Sequence, residues 1–580
     1  MSNAEIARQL DRLADLSELD GDNPFKVRAY RNAAATVRDI EKPVEELLKA
    51  GADLTTIKGI GKEIAAKVRT LVETGVLPQL AELEERVPVG LLELTRVKGI
   101  GPKQAATLWR ALGVRSVEDL EAAARAGKLT ELKGFGAKST ERVLRGIESY
   151  RRNVGRLPLG HIDAVLVPLL QRLLTVPGVR RLEVTGSYRR RKESVGDIDI
   201  VAVADEPGQL SDALTDYDEV ATVLGKGGTK TSVELHSGLQ VDLRTVEEAS
   251  FGAAVLYFTG SKEHNVQLRQ LALDRGWHLN EYGLFAGGEP GKDRPGGERL
   301  AGTTEEEVYT RLGLAYVPPE LREGRGEIEA AAAGELPDLL ELEDLRGDLH
   351  IHTTWSDGRD SLAAMIDACV ALGYEYMAVT DHSGSLALQG GLDDEKLRRQ
   401  HAELAELMDG RTDIRVLRGM EVDILKDGSL DVTDEQLENL DLVLVSVHSF
   451  FELPEAAQTE RVVKALSHPR VNVYAHPLGR QIGQRDPIAI DLAEVFAACN
   501  ENRVAVEHNA SARRLDLPDV HLRAAVAAGL KVFIGSDAHS ARGLGVMSLG
   551  VSQARRAWLG ASDVVNTRPL PRLMAFIGKE

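Results

Sequence analysis

Residues 186–201 read Gly186-Ser187-Tyr188-Arg189-Arg190-Arg191-Lys192-Glu193-Ser194-Val195-Gly196-Asp197-Ile198-Asp199-Ile200-Val201. A Gly-Ser turn leads into a strand that carries Asp197 and Asp199. Side chains at i and i+2 of a strand point to one face. Two carboxylates placed side by side repel at neutral pH, and a divalent cation relieves that repulsion. Magnesium is commonly held this way, by a few carboxylates, with the remaining positions left to substrate phosphates. A third carboxylate, Asp242, lies in the alternating run Gln240-Val241-Asp242-Leu243-Arg244. Three aspartates, a Gly-Ser turn and Arg190 suit in-line displacement on a nucleoside triphosphate with Mg²⁺ or Mn²⁺.

The chain has 580 residues, enough for several domains. No apolar run reaches membrane-span length, and Met1-Ser2-Asn3-Ala4-Glu5 lacks the basic and apolar segments of a secretory signal, so a cytoplasmic protein without membrane contact is expected. Two cysteines, Cys369 and Cys499, cannot build a disulfide framework and read as buried thiols. The net charge of −19 argues against a chain coated for nucleic acid but does not exclude nucleic-acid binding, which depends on local charge. Residues 341–580 hold 25 basic and 37 acidic side chains, or −12 of the total, whereas residues 180–192 hold six Arg/Lys and one Glu.

Residues 1–150 show amphipathic helical patterns and one motif three times: Ile57-Lys58-Gly59-Ile60-Gly61, Val97-Lys98-Gly99-Ile100-Gly101 and Leu132-Lys133-Gly134-Phe135-Gly136. The motif resembles helix-hairpin-helix modules. The resemblance implies that Gly59, Gly61, Gly99, Gly101, Gly134 and Gly136 shape turns whose backbone N–H groups face a DNA phosphate. Such contacts position a duplex without reading its sequence.

The aspartate pattern resembles the nucleotidyltransferase superfamily. The run Tyr257-Phe258-Thr259-Gly260-Ser261-Lys262-Glu263-His264-Asn265-Val266-Gln267-Leu268-Arg269 narrows this to the X family of DNA polymerases, the group of DNA polymerase beta, from near residue 15 to about 318. The resemblance implies helical DNA-binding domains over 1–85 and 86–155, the second of fingers type. It further implies an α+β palm over 156–248 and a nucleotide-binding thumb over 249–318. Asp197, Asp199 and Asp242 would be catalytic metal ligands. Gly186, Ser187, Arg190 and Gly196 match positions that hold the triphosphate, and Gly260 belongs to the same nucleotide pocket. Tyr257 and Phe258 match the residues flanking the sugar, Asn265 a minor-groove contact to the incoming base, and Arg269 an arginine on the templating strand. Gln240 departs from the family, standing where an arginine usually sits beside the third aspartate.

Beta-type enzymes also remove a 5′-deoxyribose phosphate through a Schiff-base lysine. Lys67 aligns with that nucleophile and Tyr30 with a supporting tyrosine, but Glu63 replaces a family lysine and Phe25 a histidine. Such a lysine has to shed its proton, and an acid one helical turn away favours keeping it. Two readings of Lys67 stand: the lyase nucleophile and a phosphate-facing helix lysine.

Residues 319–345, rich in Glu, Ala and Gly, read as a linker. Beyond it, short apolar runs alternate with helical stretches, the pattern of a parallel α/β barrel. Ten of the 14 histidines fall between 350 and 539. His350, His352, Asp357, His382, Glu421, His448, His476, Asp537 and His539 sit near the C-terminal ends of apolar runs, where barrels of this kind place ligands. The N/O set suits two or three Mn²⁺, Zn²⁺ or Fe²⁺ ions. These motifs resemble the polymerase-and-histidinol-phosphatase (PHP) domain over 346–580. The resemblance implies metal-dependent phosphoester hydrolysis in a distorted β/α barrel, with 3′–5′ exonuclease, AP endonuclease and 3′-end-cleaning activities.

The expected protein is therefore a multidomain repair polymerase acting on gapped or nicked DNA and dNTPs in base excision repair, as a monomer. A small-molecule phosphatase in the C-terminal half and a non-catalytic DNA-end scaffold are the competing readings. The first has no use for three DNA-binding modules, and the second leaves the intact aspartates without a role.

Overall fold

The computed structural model describes residues 1, 3–40, 42–57, 59–88, 90–97, 99–132, 135–153, 155–287, 297–384 and 390–578. They form two bodies, Met1–Val154 and Gly155–Glu580. Among the described residues no helix is long and apolar enough to cross a membrane.

The first body is helical because its apolar residues recur at helical spacing. Lys62–Thr74 buries Ile64, Ala65, Val68 and Leu71 along one stripe. A single core runs from Ile6 to Ile147. This core continues across the expected division at 85/86, which falls one residue before the end of the helix Pro78–Arg86. The three motif copies share a hydrogen bond closed by their apolar residues: Ile60 N–H to Ile57 O, Ile100 N–H to Val97 O and Phe135 N–H to Leu132 O, each 3.0 Å. Gly61 and Gly101 cap the helices Lys62–Thr74 and Pro102–Leu112, and Gly136 immediately precedes Ala137–Asn153. Gly59 and Gly99 have φ of 98° and 86°. Lys58, Lys98, Lys133 and Gly134 lie outside the described residues.

The second body begins with a five-stranded mixed sheet. Its order is Val179–Val184, Asp197–Ala204, Gln240–Thr245, Lys230–Leu235, Val220–Lys226. Of the three inner strands, Asp197–Ala204 and Gln240–Thr245 run parallel to each other, and the remaining neighbours are antiparallel. The helix Leu159–Leu174 lays Leu159, Ile162, Leu166, Leu169 and Leu173 on this sheet. Next come the helices Phe251–Thr259, Lys262–Asp274 and Glu305–Arg311, with the antiparallel strands Trp277–Asn280, Gly283–Ala286 and Glu298–Ala301.

Residues 319–345 are not an open linker. Leu321, Ile328, Ala331 and Leu339 join the core of the preceding region. Arg322 is fully buried on Glu305 (2.6 Å), and Glu327 is buried against His264 Nδ1 (2.8 Å). Two of the charged side chains behind the solvated composition of this stretch, Arg322 and Glu327, are thus paired inside the fold, where an unpaired charge would be costly.

From residue 347 seven parallel strands follow in chain order: Gly347–Ile351, Tyr376–Val379, Arg415–Asp423, Leu442–Ser446, Val473–Tyr474, Ala505–Asn509 and Val532–Gly535. An Ile351–Ala538 bridge nearly closes them into a barrel. Strands covered on both faces read as continuous apolar runs. The barrel and the five-stranded sheet share packing. Leu515 and Leu549 enter the core of that sheet, and Gln553 Nε2 donates to Arg191 O (2.7 Å). A methyl group added at Gly160 would lie 2.3 Å from Ala512 Cβ.

Candidate active sites

Parallel pairing sets Asp199 opposite Asp242 and Asp197 opposite Gln240. With Asp197 and Asp199 two residues apart, all three aspartates share one face of the sheet. Burial, then the charges of Asp197 and Asp242, push the Asp199 carboxyl up to about 6. Burial also opposes charge on Asp242, but hydrogen bonds from Lys230, Ser232 and Gln240 outweigh it and hold its pKa below the ordinary aspartate range. Lys230 Nζ lies 2.7 Å from Asp242 Oδ2, and Gln240 Nε2 donates to Asp242 Oδ1 (3.0 Å). Gln240 thus orients the third carboxylate where the family pattern has an arginine. A cluster that raises one carboxylate toward neutrality fits divalent cations.

The turn after Val179–Val184 brings backbone to this cluster. Gly186 has φ of 67°, and a Cβ there would sit 3.2 Å from Asp199 Oδ2, so both its conformation and its surroundings call for glycine. Ser187 Oγ is buried without a partner, as a group awaiting a polar ligand would be. Gly196 packs against Arg156, whose NH1 would be 3.0 Å from a Cβ added there. Arg190 is engaged elsewhere, with Nε on Glu323 Oε1 (3.0 Å) and NH1 on Thr259 O, beside Gly260. Its Nε and NH1 are thus already held by protein groups. Glu323 also pairs with Arg556 NH1 at 3.0 Å.

Tyr257 and Phe258 pack edge to face, their ring centroids 5.1 Å apart. Asn265 Nδ2 donates to Tyr257 O (2.7 Å), and the exposed Arg269 lies one turn further along the same helix. Arg244 ties this pair to the aspartates: its guanidinium carbon is 4.3 Å from the Phe258 ring centre, and NH2 is 4.0 Å from Asp242 Oδ2. Sequence reasoning passes over Arg244 and Arg156. The i+2 relation to Asp242 is the available signal for Arg244.

The barrel gathers the second set at its C-terminal end. Three groups have ligand atoms mutually within 4.8 Å: His352, Asp357, His382 and His539; His350, His352 and Asp537; and His382, Glu421 and His448. His476 stands beside the third, with Nε2 2.7 Å from Glu421 Oε1. His350 Nε2, both ring nitrogens of His352, His382 Nδ1, His476 Nδ1 and Glu421 Oε2 are buried without hydrogen-bond partners. Those of His350, His352, His382 and Glu421 belong to the three groups above and fit metal ions. His476 and Asp537 also hold φ of 28° and 54°, strain of the kind found at functional sites.

The electrostatics sort these groups. Burial opposes charge on Glu421 and Asp537, yet the surrounding histidines hold both well below the carboxylate range. Burial, then His382 and His539, push His352 down to about 3, leaving the neutral imidazole that binds metals. Burial opposes protonation of His539 too, but Asp357 and Asp537 lift it to about 9.

Sequence reasoning misses Glu507. It is fully buried, accepts from His476 N–H (2.6 Å) and sits 2.6 Å from His350 Nδ1, fixing which ring nitrogen faces the cluster. The residue pattern supplies a ligand for six of the seven strands. The remaining one, Ala505–Asn509, carries Glu507 within its apolar run. Arg514 lies 3.3 Å from Asp537 Oδ2, on the loop whose Leu515 enters the neighbouring sheet's core.

In the helical body, Lys67 Nζ lies 3.4 Å from Glu63 Oε1 and 5.9 Å from the Tyr30 ring centre, while Tyr30 OH is 3.5 Å from Glu63 Oε1. The lysine and tyrosine are brought together with the acid between them.

Comparison with known proteins adds family. Residues 254–323 match the DNA polymerase beta thumb and residues 348–510 the PHP domain. Residues 1–77 match a helix-hairpin-helix domain and residues 91–149 a SAM-like helix-hairpin-helix tandem. The chain is 36% identical over 579 residues to DNA polymerase/3′-5′ exonuclease PolX of Bacillus subtilis (strain 168), covering 100% of this chain and 99% of that protein. It is 28% identical over 348 residues to DNA polymerase lambda of Rattus norvegicus, 55% of this chain and 56% of that one. It is 27% identical over 297 residues to DNA polymerase lambda of Arabidopsis thaliana, 46% of this chain and 53% of that one.

Proposed function

The chain belongs to the X family of DNA polymerases that carry a PHP domain, as a DNA polymerase with 3′–5′ exonuclease, and on that premise we propose that it fills short gaps in base excision repair. The DNA substrate is gapped or nicked, the protein works as a monomer, and the barrel trims 3′ ends to leave the 3′-OH that the palm extends. AP endonuclease cleavage at the same centre belongs to this reading.

Asp197, Asp199 and Asp242 hold Mg²⁺ or Mn²⁺. His350, His352, Asp357, His382, Glu421, His448, His476, Asp537 and His539 hold two or three Mn²⁺, Zn²⁺ or Fe²⁺ ions. When bound, the ions neutralise charge developing on phosphate oxygens and lower the pKa of the attacking oxygen at either centre. Ser187 Oγ and the backbone at Gly186 bind the triphosphate, with Gly196 leaving room for Arg156 and Gly260 for Arg190. The Tyr257–Phe258 wall excludes a 2′-hydroxyl, Asn265 meets the base and Arg269 the templating strand. Glu507 holds the His350 imidazole in one tautomer. The helix-hairpin-helix turns at Gly59, Gly61, Gly99, Gly101, Gly134 and Gly136 take the duplex backbone, and Lys67 with Tyr30 supplies any 5′-deoxyribose phosphate lyase activity.

The observation that carries the synthetic half is the cross-strand placement of Asp199 against Asp242, with Asp197 on the same face. The test uses a 5′-labelled primer in a one-nucleotide gap. Asp242→Ala is expected to abolish extension and keep hydrolysis, and His350→Ala to do the reverse. Unchanged extension by Asp242→Ala refutes the palm assignment. Loss of both activities in either variant refutes two separable centres.

A further inference from the structure

We propose that Phe450 is a stacking platform for the 3′-terminal nucleobase of the strand that the barrel centre hydrolyses; the inference rests on the exonuclease reading of that centre. Phe450 follows His448 by two residues, a reach of at most about 7 Å of backbone. His448 is one of the third group of metal-binding side chains. The ring is 50% exposed, whereas phenylalanine is normally buried.

Its backbone is held at φ of 55°, a region that bulky side chains avoid. Such strain persists only where surrounding structure enforces it. Arg461 does so here. It is 2% exposed, donates to Leu425 O (2.8 Å), Ser449 O (3.0 Å) and Ile424 O, and lies 5.7 Å from the Phe450 ring centre. The buried guanidinium clamps both loops at this edge of the barrel mouth and backs the ring. The next residue, Phe451, turns the other way and stacks on Arg485 at 4.0 Å. A loop with two consecutive phenylalanines, one packed and one held out in a strained conformation, presents an aromatic face.

The occupant follows from charge and position. Exposed Lys426, which has no carboxylate partner among the described residues, stands 5.5 Å from the ring centre. A cation beside an open aromatic face, next to a phosphoester-hydrolysing centre, matches a nucleotide with its phosphate and base together. With the scissile phosphate fixed at the metal-binding groups, the terminal base projects to one side and needs a partner once unpaired. Stacking accepts every base, since every base has a π-face.

The test compares 3′-terminal hydrolysis of two oligonucleotides. One ends in a normal nucleotide and the other in a tetrahydrofuran residue that keeps the sugar and phosphate but lacks the base. The unaltered full chain is expected to prefer the base-bearing end in kcat/KM by about 5- to 150-fold, the range for one stacked base. Phe450→Ala collapses that preference toward unity, and Phe450→Trp keeps it. Phe450→Asn, which suits the left-handed backbone and lacks a ring, repeats the measurement should alanine unsettle the turn. Equal loss on both ends, or no loss on either, overturns the proposal, as does an unaltered chain without preference. Cleavage of neither end by the unaltered chain defeats the exonuclease reading itself, and this one with it.

Discussion

Replacing Asp199 by asparagine is expected to stabilise the metal-free protein while abolishing synthesis. Asp199 is an acid whose pKa rises on folding, from 3.8 to about 6, through burial and then the charges of Asp197 and Asp242. Between those values the folded chain keeps a proton that the unfolded chain has lost. Stability therefore falls as pH rises through that window, and the full penalty stands above pH 6. At 1.36 kcal/mol per pH unit the rise amounts to about 3 kcal/mol. The carboxylate is partly exposed, and screening trims this to about 2 kcal/mol. The substituted amide has no charge to repel. Thermal melts in EDTA at pH 7.5 should show Asp199→Asn a few degrees above the unaltered protein. The gap should narrow below pH 6, and Mg²⁺ or Mn²⁺ should narrow it too by stabilising the unaltered protein more. A variant that melts no higher in EDTA, or whose gain is the same at pH 5 as at pH 7.5, refutes the argument that these three carboxylates repel on one face.

Glu507→Gln should weaken Mn²⁺ binding at the barrel about 10- to 100-fold in a metal titration, because His350 loses the anion that fixes its tautomer, with primer extension intact. Lys230→Met removes a donor that holds Asp242 ionised, so the acidic limb of the pH–rate profile for extension should move to higher pH. Lys67→Ala should leave gap filling in place, and borohydride trapping on a 5′-deoxyribose phosphate substrate should disappear with it. Trapping that survives the substitution excludes Lys67 as the nucleophile.

The aspartate pair is legible because a period of two needs only a strand to put both side chains on one face. The clustering of the candidate barrel ligands is legible because most of them close short apolar runs, and chain order becomes spatial order in an all-parallel barrel. What escapes reading depends on burial, which residue type does not reveal. Glu507 lies within its run as one more residue of an apolar strand, and its hydrogen bond to His350 spans 157 residues of sequence. Glu327 and Arg322 give residues 319–345 the composition of a solvated linker, yet both are sealed inside ion pairs. The motif around Arg190 assigns it to phosphate, and no local pattern announces that Glu323, far along the chain, already holds it. Apolar packing runs across the expected 85/86 division, because helices whose stripes face one another share a core whatever their place along the chain.

Leu515 and Leu549 seat the barrel in the core of the polymerising sheet, and a methyl at Gly160 would strike Ala512. The two chemistries are thus bolted to a common chassis, and proofreading cannot proceed by swinging a nuclease arm over a stationary primer. The nucleic acid must be the traveller. Its terminus has to fray or dissociate and re-engage, so mismatches that loosen the final base pairs partition toward removal by their own residence time, with no hinge in this body required to sense them.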